Sequence, residues 1–331
     1  MRKLIYLLLL SPVCLQAQHT RIGQNGQPEP FAHTFSIVAR DERTGDMAVG
    51  VQSHWFSVGT TVSWGEAGVG VVATQSFVNK SFGIRGLQLL KQGKTAQQAL
   101  DELLKGDEGR DVRQVAIVDA KGNVAVHTGK KCVDHAGHWK GRGFSVQANM
   151  MLNNTVPAAM ATAFEKNASL PLPERVMKAM DAAQAAGGDI RGKQSAVLLV
   201  VRGKSTGAPW DDNHLVDLRV DDNPQPLQEL GRLLRVHRAY EYMNNGDLAV
   251  EKNDMKTAMT EYGAAMKMFP ENLEMKYWTA IGLANSKQVA KAADLLRSIY
   301  AKDPNWRELT RRLPKVGLLT VSQKELRELV K

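Results

Sequence analysis

The residues with the clearest chemical potential lie in the stretch FAHTFSIVARD, residues 31 to 41, where an alternating strand pattern opens on Thr34. A threonine hydroxyl is a weak nucleophile and needs a base held close to it. When threonine is the first residue of a chain, its own α-amino group can serve. That group's reference pKa is about 8, and the proton moves directly or through one water. The arrangement requires a threonine fixed at the start of a strand beside an antiparallel neighbour. TFSIVAR followed by DMAVGVQS supplies this layout, and the period of two puts Thr34, Ser36, Val38 and Arg40 on one face. The bland alternative is a β-branched residue that merely favours extended backbone. On alternation alone, the bland alternative is preferred.

Acyl transfer also needs donors for a developing oxyanion and groups that orient the substrate. Ser53 ends the second strand and falls beside Thr34, and Asn149 in SVQANM offers an amide N–H, so Thr34, Ser53 and Asn149 form the candidate catalytic set. Arg40, Thr74, Gln75, Ser76, His127 and Thr128 are candidate substrate-binding residues. Arg40 follows Thr34 on the same face, with a buried pair to Asp41 as the plain alternative. The other five end strands, where polar side chains also serve simply to satisfy turns. Gly187, Gly188, Asp189 and Arg191 read as a loop before the last strand.

Three further constellations carry less. Gly68 and Gly70 precede a strand, whereas the dinucleotide fingerprint follows one and opens a helix. Asp134, His135 and His138 are too loosely spaced for a zinc site, so neither a metal nor a cofactor is expected. Cys132 follows Lys130 and Lys131, a setting that can lower a thiol pKa, but a structural thiol is the simpler reading.

The elements that must position these residues are an α+β set. Besides the first hairpin, GVGVVATQSF is a strand, and RQVAIVDAKGNVAVHTG is two strands about an Ala-Lys-Gly-Asn turn. SFGIRGLQLLKQGKTAQQALDELLKG gives two helices broken at Gly93, the second capped by Thr95. Helix follows from about 156 to 186, and QSAVLLVVRG is a buried strand. DLRVDDNPQP marks a boundary near 223. Beyond it the chain is helical, and Ala258, Ala265 and Pro270 recur as Ala292, Ile299 and Pro304, the period of a tetratricopeptide repeat. About two such repeats are too few for a free-standing solenoid, so the module is expected to pack on the first domain or on a partner.

The chain has 331 residues, 43% of them apolar, and a formal charge of +9. Its Lys and Arg are dispersed along helical faces without the basic runs of a nucleic-acid arm, so no nucleic-acid partner is expected. Residues 1–17 read as an export signal: Arg2 and Lys3, an apolar run from Leu4 to Leu10 too short to span a bilayer, and a cleavage residue at Ala17. Cys14 lies in a poor lipobox, so the product is expected to be exported, periplasmic or secreted, without a lipid anchor. Residues 18–33 form a polar leader.

From Thr34 to about Asp222 the chain resembles a bacterial family catalogued as domain of unknown function 1028, regarded as a member of the N-terminal-nucleophile hydrolase superfamily. The stretches that carry the resemblance are TFSIVARD, DMAVGVQS, WGEAGVGVVATQSF, SFGIRGLQLL, RQVAIVDAKGNVAVHTG, GGDIRGKQSAVLLVV and DLRVDDNPQPLQEL. It implies a four-layer αββα domain over residues 34–223, while the repeat beyond it gives an all-α tetratricopeptide-like module over 224–331. Members usually begin Met-Thr-Phe-Ser, so that removal of Met exposes the threonine, and Thr34 occupies that position. This chain departs from the pattern, because cleavage near Ala17 does not expose Thr34 and a second cut between His33 and Thr34 is required. The expectation is an exported amidohydrolase acting on a small-molecule or peptide-like substrate. The alternative is a catalytically silent binding protein whose repeats dock a protein or cell-wall partner. Self-association is left open.

Overall fold

The computed structural model describes residues 31–32 and 34–331. The signal, most of the leader and His33 lie outside the described residues. Two compact units follow one another, the first ending at Pro226 and the second spanning Leu227–Lys331.

In the first unit the strands are β1 (Phe31–Ala32), β2 (Thr34–Arg40), β3 (Met47–Ser53), β4 (Ser63–Glu66), β5 (Gly70–Phe77), β6 (Arg113–Asp119), β7 (Val124–Thr128), β8 (Gly137–Gly141), β9 (Phe144–Ala148), β10 (Ser195–Val201) and β11 (His214–Val220). The helices are a short α1 (Gly59–Val62), then α2 (Ser81–Lys91), α3 (Ala96–Lys105), α4 (Val156–Lys166) and α5 (Leu172–Ala185). One sheet has the order β1-β5-β6-β7, with β4 also on β5; the other runs β11-β10-β3-β2-β9-β8. Every strand pair is antiparallel.

Alternation along the strands explains the layering of side chains. Val38, Met47, Val49 and Val51 of one sheet share an apolar cluster with Val71, Ala73, Ala116 and Val118 of the other. The opposite faces meet helices. Val72, Val115 and Ile117 pack with Leu87, Leu100 and Leu103 of α2 and α3, while α4 and α5 lie on β9, β2 and β3. Both faces of β2 and β3 are therefore covered, which is why these strands are buried almost throughout. Thr95 caps α3 in a capping box with Gln98, as its position after the Gly93 break predicts. The β8–β9 hairpin was not legible beforehand. FSVQA is only five residues long, and nothing local announces that it is the neighbour of β2.

The second unit contains α6 (Pro226–Glu251, which opens at the boundary), α7 (Met255–Met268), α8 (Leu273–Asn285), α9 (Val289–Tyr300), α10 (Asn305–Arg312) and α11 (Gln323–Leu329). Ala258 and Ala265 of α7 are fully buried, as are Ala292 and Ile299 of α9. Small residues permit close approach here. A Cβ added at Gly246 of α6 would overlap the Tyr262 ring of α7. Among the described residues no helix is long and apolar enough to cross a membrane.

Candidate functional site

Register brings the candidate residues to one end of the six-stranded sheet. Thr34 pairs with Ser53, and Ser53 pairs on its other side with Ser195 of β10. The chain leaving β9 joins them, because Asn149 N donates to Thr34 O at 3.1 Å. Thr34, Ser53, Asn149 and Ser195 are all fully buried. Just upstream of Thr34 the chain belongs to the other sheet, where Phe31 and Ala32 pair with Phe77 and Ser76 of β5.

Beneath this end of the sheet, the space between the two sheets is filled by amides and hydroxyls instead of aliphatic side chains. Ser36 Oγ donates to Gln75 Oε1 and accepts from Gln147 Nε2, both at 2.6 Å. Gln75 Nε2 donates to Gln114 Oε1 at 2.6 Å and to Thr34 O at 3.2 Å. Asn149 Nδ2 donates to Gln114 Oε1 at 2.8 Å and to Thr34 O at 3.4 Å. Gln114 Nε2 in turn donates to Thr128 Oγ1, Ala148 O and Gly137 O at 2.9, 3.0 and 3.1 Å. Gln114 is thus the hub that joins β6, β7, β8 and β9 below Thr34, and the Thr34 carbonyl oxygen faces three nitrogen donors. A fully satisfied polar network of this kind rigidifies what it holds.

The network ends at His138, whose Nδ1 lies 2.9 Å from Thr128 Oγ1. His138 is an exposed residue, but desolvation on the protein-facing side of its ring pushes its pKa below the ordinary histidine value, with help from His127 and Lys140. A neutral imidazole therefore closes the chain at pH 7. Cys132 is not an activated thiol: burial raises its pKa, a Ser76 hydrogen bond opposing, and its Sγ donates to Arg113 O.

A second buried feature fixes the loops at this end. The Asp189 carboxylate accepts from His54 N at 3.2 Å, from Arg191 N at 2.9 Å, and from Arg191 Nε and Nη2 at 3.0 and 2.6 Å. His54 directly follows Ser53, so Asp189 ties the exit of β3 to the approach to β10. Ile190 N and Leu152 N close the same region by bonding Met150 O and Gly188 O.

Several expected neighbours do not face Thr34. Arg40 shares a face with Thr34 but sits six residues along the strand, about 20 Å away at the usual rise, and pairs with Met47 instead. It makes no ion pair with Asp41, whose carboxylate is taken by Arg43. Thr74 has the parity of Val72 and turns toward the helices, its hydroxyl reaching Asn79 O. His127 lies opposite Val115 and its Nε2 contacts Arg110 O, on the other side of β7 from Thr128. Ser76, at φ 71°, is the penultimate residue of β5 and lies next to Cys132. Ser53, Gln75, Asn149 and, through Gln114, Thr128 are the predicted residues that surround Thr34. Gln114, Gln147, Ser195 and the role of Asp189 were missed. The sequence signal is a glutamine on the inward parity of a strand, in line with Ala116 and Val118 for Gln114 and with Ser145 for Gln147. Among the described residues no cluster of three His, Cys, Asp or Glu is arranged to hold a metal ion.

Comparison with known proteins places this geometry in a group. Residues 34–230 match the DUF1028 family, described as a family of unknown function. A DUF1028 protein of known crystal structure from Silicibacter pomeroyi is 31% identical, with a TM-score of 0.56, covering 62% of this chain and 85% of that one. Anbu, an ancestral β-subunit from Yersinia bercovieri, aligns at 9% identity and a TM-score of 0.31 over 60% of this chain and 92% of its own. No curated protein matches the chain.

Proposed function

The chain belongs to the DUF1028 family, and from that premise we propose that its first unit is an αββα N-terminal-nucleophile domain that hydrolyses an amide bond with Thr34 as nucleophile. The observation that carries this reading is the fixing of Thr34. It opens a central strand, pairs with Ser53, and has its carbonyl held by Asn149 and Gln75. A residue held by its own backbone presents its amine and hydroxyl in one geometry, the condition for intramolecular base catalysis.

Cleavage of the His33–Thr34 bond frees the α-amine. The amine takes the Oγ1 proton as Oγ1 attacks the substrate carbonyl, and the proton passes to the departing amine as the C–N bond breaks. Water then enters by the same base and releases the acid from the Thr34 ester. Amide N–H groups at the strand ends, Asn149 among them, are the candidate donors to the oxyanion. The reading includes export through residues 1–17, a small or peptide-like substrate, and a second unit of tetratricopeptide-like helix pairs that docks a protein or cell-wall partner.

One observation favours the second reading, a catalytically silent binding protein. Phe31 and Ala32 are strand-paired to β5, so an uncut chain has a built place for its leader beside the site. In that chain the Thr34 nitrogen is an amide and takes no proton. Intact mass and terminal sequencing of the native protein separate the two readings, since a terminus at Thr34 supports the enzyme. A chain begun at Met-Thr34 should hydrolyse members of an amide library and the leader-bearing chain should not. Thr34→Ala should abolish turnover with the fold intact, and Thr34→Ser should retain part of it. Inert preparations from both starting points, with a native terminus near Gln18, would leave the binding protein standing.

A further inference from the structure

One edge of β5 is filled by β6, and the other is shared by two short strands. β4 covers Gly70 to Ala73 and stops there. Ser76 and Phe77 are covered by β1, the leader residues Ala32 and Phe31. The orientation of the backbone makes this a hydrogen-bonding edge. Gly129 N donates to Arg113 O, so Arg113 turns its main-chain groups to β7 and away from Ser76, the residue it opposes on β5. In an antiparallel pair of that kind both residues point outward. Ser76 N–H is therefore directed into the lane where Ala32 lies.

This end of β5 is fixed in place and tied to Thr34. Gln75 Nε2 donates to Thr34 O at 3.2 Å. Arg113, locked to Asp107 by a buried ion pair at 2.7 Å, donates through Nη1 to Phe77 O at 2.8 Å. Without the leader, the lane is a sheet edge of the sort that takes an extended peptide as an added strand.

Covalent geometry decides what enters it. When one threonine's nitrogen and Oγ1 are close enough to pass a proton, they are about 3 Å apart. A substrate carbonyl at Oγ1 therefore lies close to the place of the carbonyl that is bonded to Thr34 N in the uncut chain. The acyl side of the substrate then leaves the site as the leader does, with its second residue from the scissile bond opposite Ser76.

We infer that the β5 edge at Ser76 and Phe77 holds the acyl side of the substrate, and that the substrate is an extended peptide, paired main chain to main chain as Ala32 and Phe31 are. This rests on the reading of Thr34 as nucleophile and narrows its substrate from any small amide to a peptide with a second and a third residue before the scissile bond.

The test is fluorescence anisotropy of a labelled heptapeptide, Gln-Pro-Glu-Pro-Phe-Ala-His, the sequence of residues 27–33. It should bind the chain begun at Met-Thr34, and it should not bind the leader-bearing chain, whose lane is filled. Methylating the alanine nitrogen puts a methyl group between the strands and should weaken binding about tenfold or more. Methylating the phenylalanine nitrogen, which points away from β5, should leave binding unchanged. Thr34→Ala in the Met-Thr34 chain should bind as its parent does, so the lane is read apart from the chemistry. Binding without turnover sinks the nucleophile alone, and turnover of small amides without binding sinks the lane alone. Should the Met-Thr34 chain not fold, Ala32→Pro in the full chain removes the leader's N–H. Ser76 N should then exchange faster with solvent and be protected again by the peptide added in trans. The inference fails if the peptide neither binds the Met-Thr34 chain nor restores that protection, if it binds the leader-bearing chain equally, or if both methylated peptides bind like the parent.

Discussion

Replacing Gln114 with methionine tests whether the amide network holds the Thr34 end together. Methionine keeps nearly the same volume and shape but removes every polar contact of the hub. Two acceptances, from Gln75 and Asn149, and three donations, to Thr128, Gly137 O and Ala148 O, are lost. At about 1 kcal/mol net for each bond the ceiling is about 5 kcal/mol. The full sum is not expected. Gln75 Nε2 and Asn149 Nδ2 both keep their longer bonds to Thr34 O, at 3.2 and 3.4 Å. A loss of about 3 kcal/mol follows. For a unit of this size that lowers Tm by roughly 6–12 °C. Calorimetry of the full chain, following the first unit's transition, measures the loss, and native-state hydrogen exchange at Asn149 N locates it. A drop below about 1 kcal/mol, with unaltered exchange at Asn149, would refute the assignment of Gln114 as the hub.

Three other outcomes are expected. Thr310→Val removes the shared partner of the buried Tyr277 and Tyr300 hydroxyls, at 3.1 and 2.8 Å, and should cost the second unit about 2–4 kcal/mol in denaturant unfolding, while Thr310→Ser should restore most of it. His138, its pKa depressed chiefly by desolvation on its protein-facing side, should titrate by NMR below the ordinary histidine value. Because the unfolded chain then binds the proton more readily than the folded one, its contribution to stability should be complete above pH 6.5 and fall as the pH drops, a dependence that His138→Gln should remove. Ala258→Leu overfills a fully buried position on α7 and should cost on the order of 1–3 kcal/mol, read as a lowered melting temperature of the second unit.

What the sequence determined by itself is what is local. Period-two alternation in TFSIVAR and DMAVGVQS set the inward face of Thr34, Ser36 and Val38, and the structure has Val38 in the shared core of the two sheets. The Thr95 cap and the hairpin about Ala-Lys-Gly-Asn are likewise short-range, because a cap or a turn is satisfied within a few residues. Motifs in order along the chain carried the family. The tertiary structure alone decided which strands became neighbours. FSVQA lies more than a hundred residues after β2 yet pairs with it, and that register brings Gln147 to Ser36 and Asn149 to the Thr34 carbonyl. Gln114 and Asp189 could not be picked out, since a glutamine in a strand or an aspartate in a loop gains meaning only from partners supplied by other strands. Arg40 shows the same limit in reverse. Alternation gave its face correctly, but pairing sent it to the far end of the sheets, where the glycines of two turns make room for its side chain.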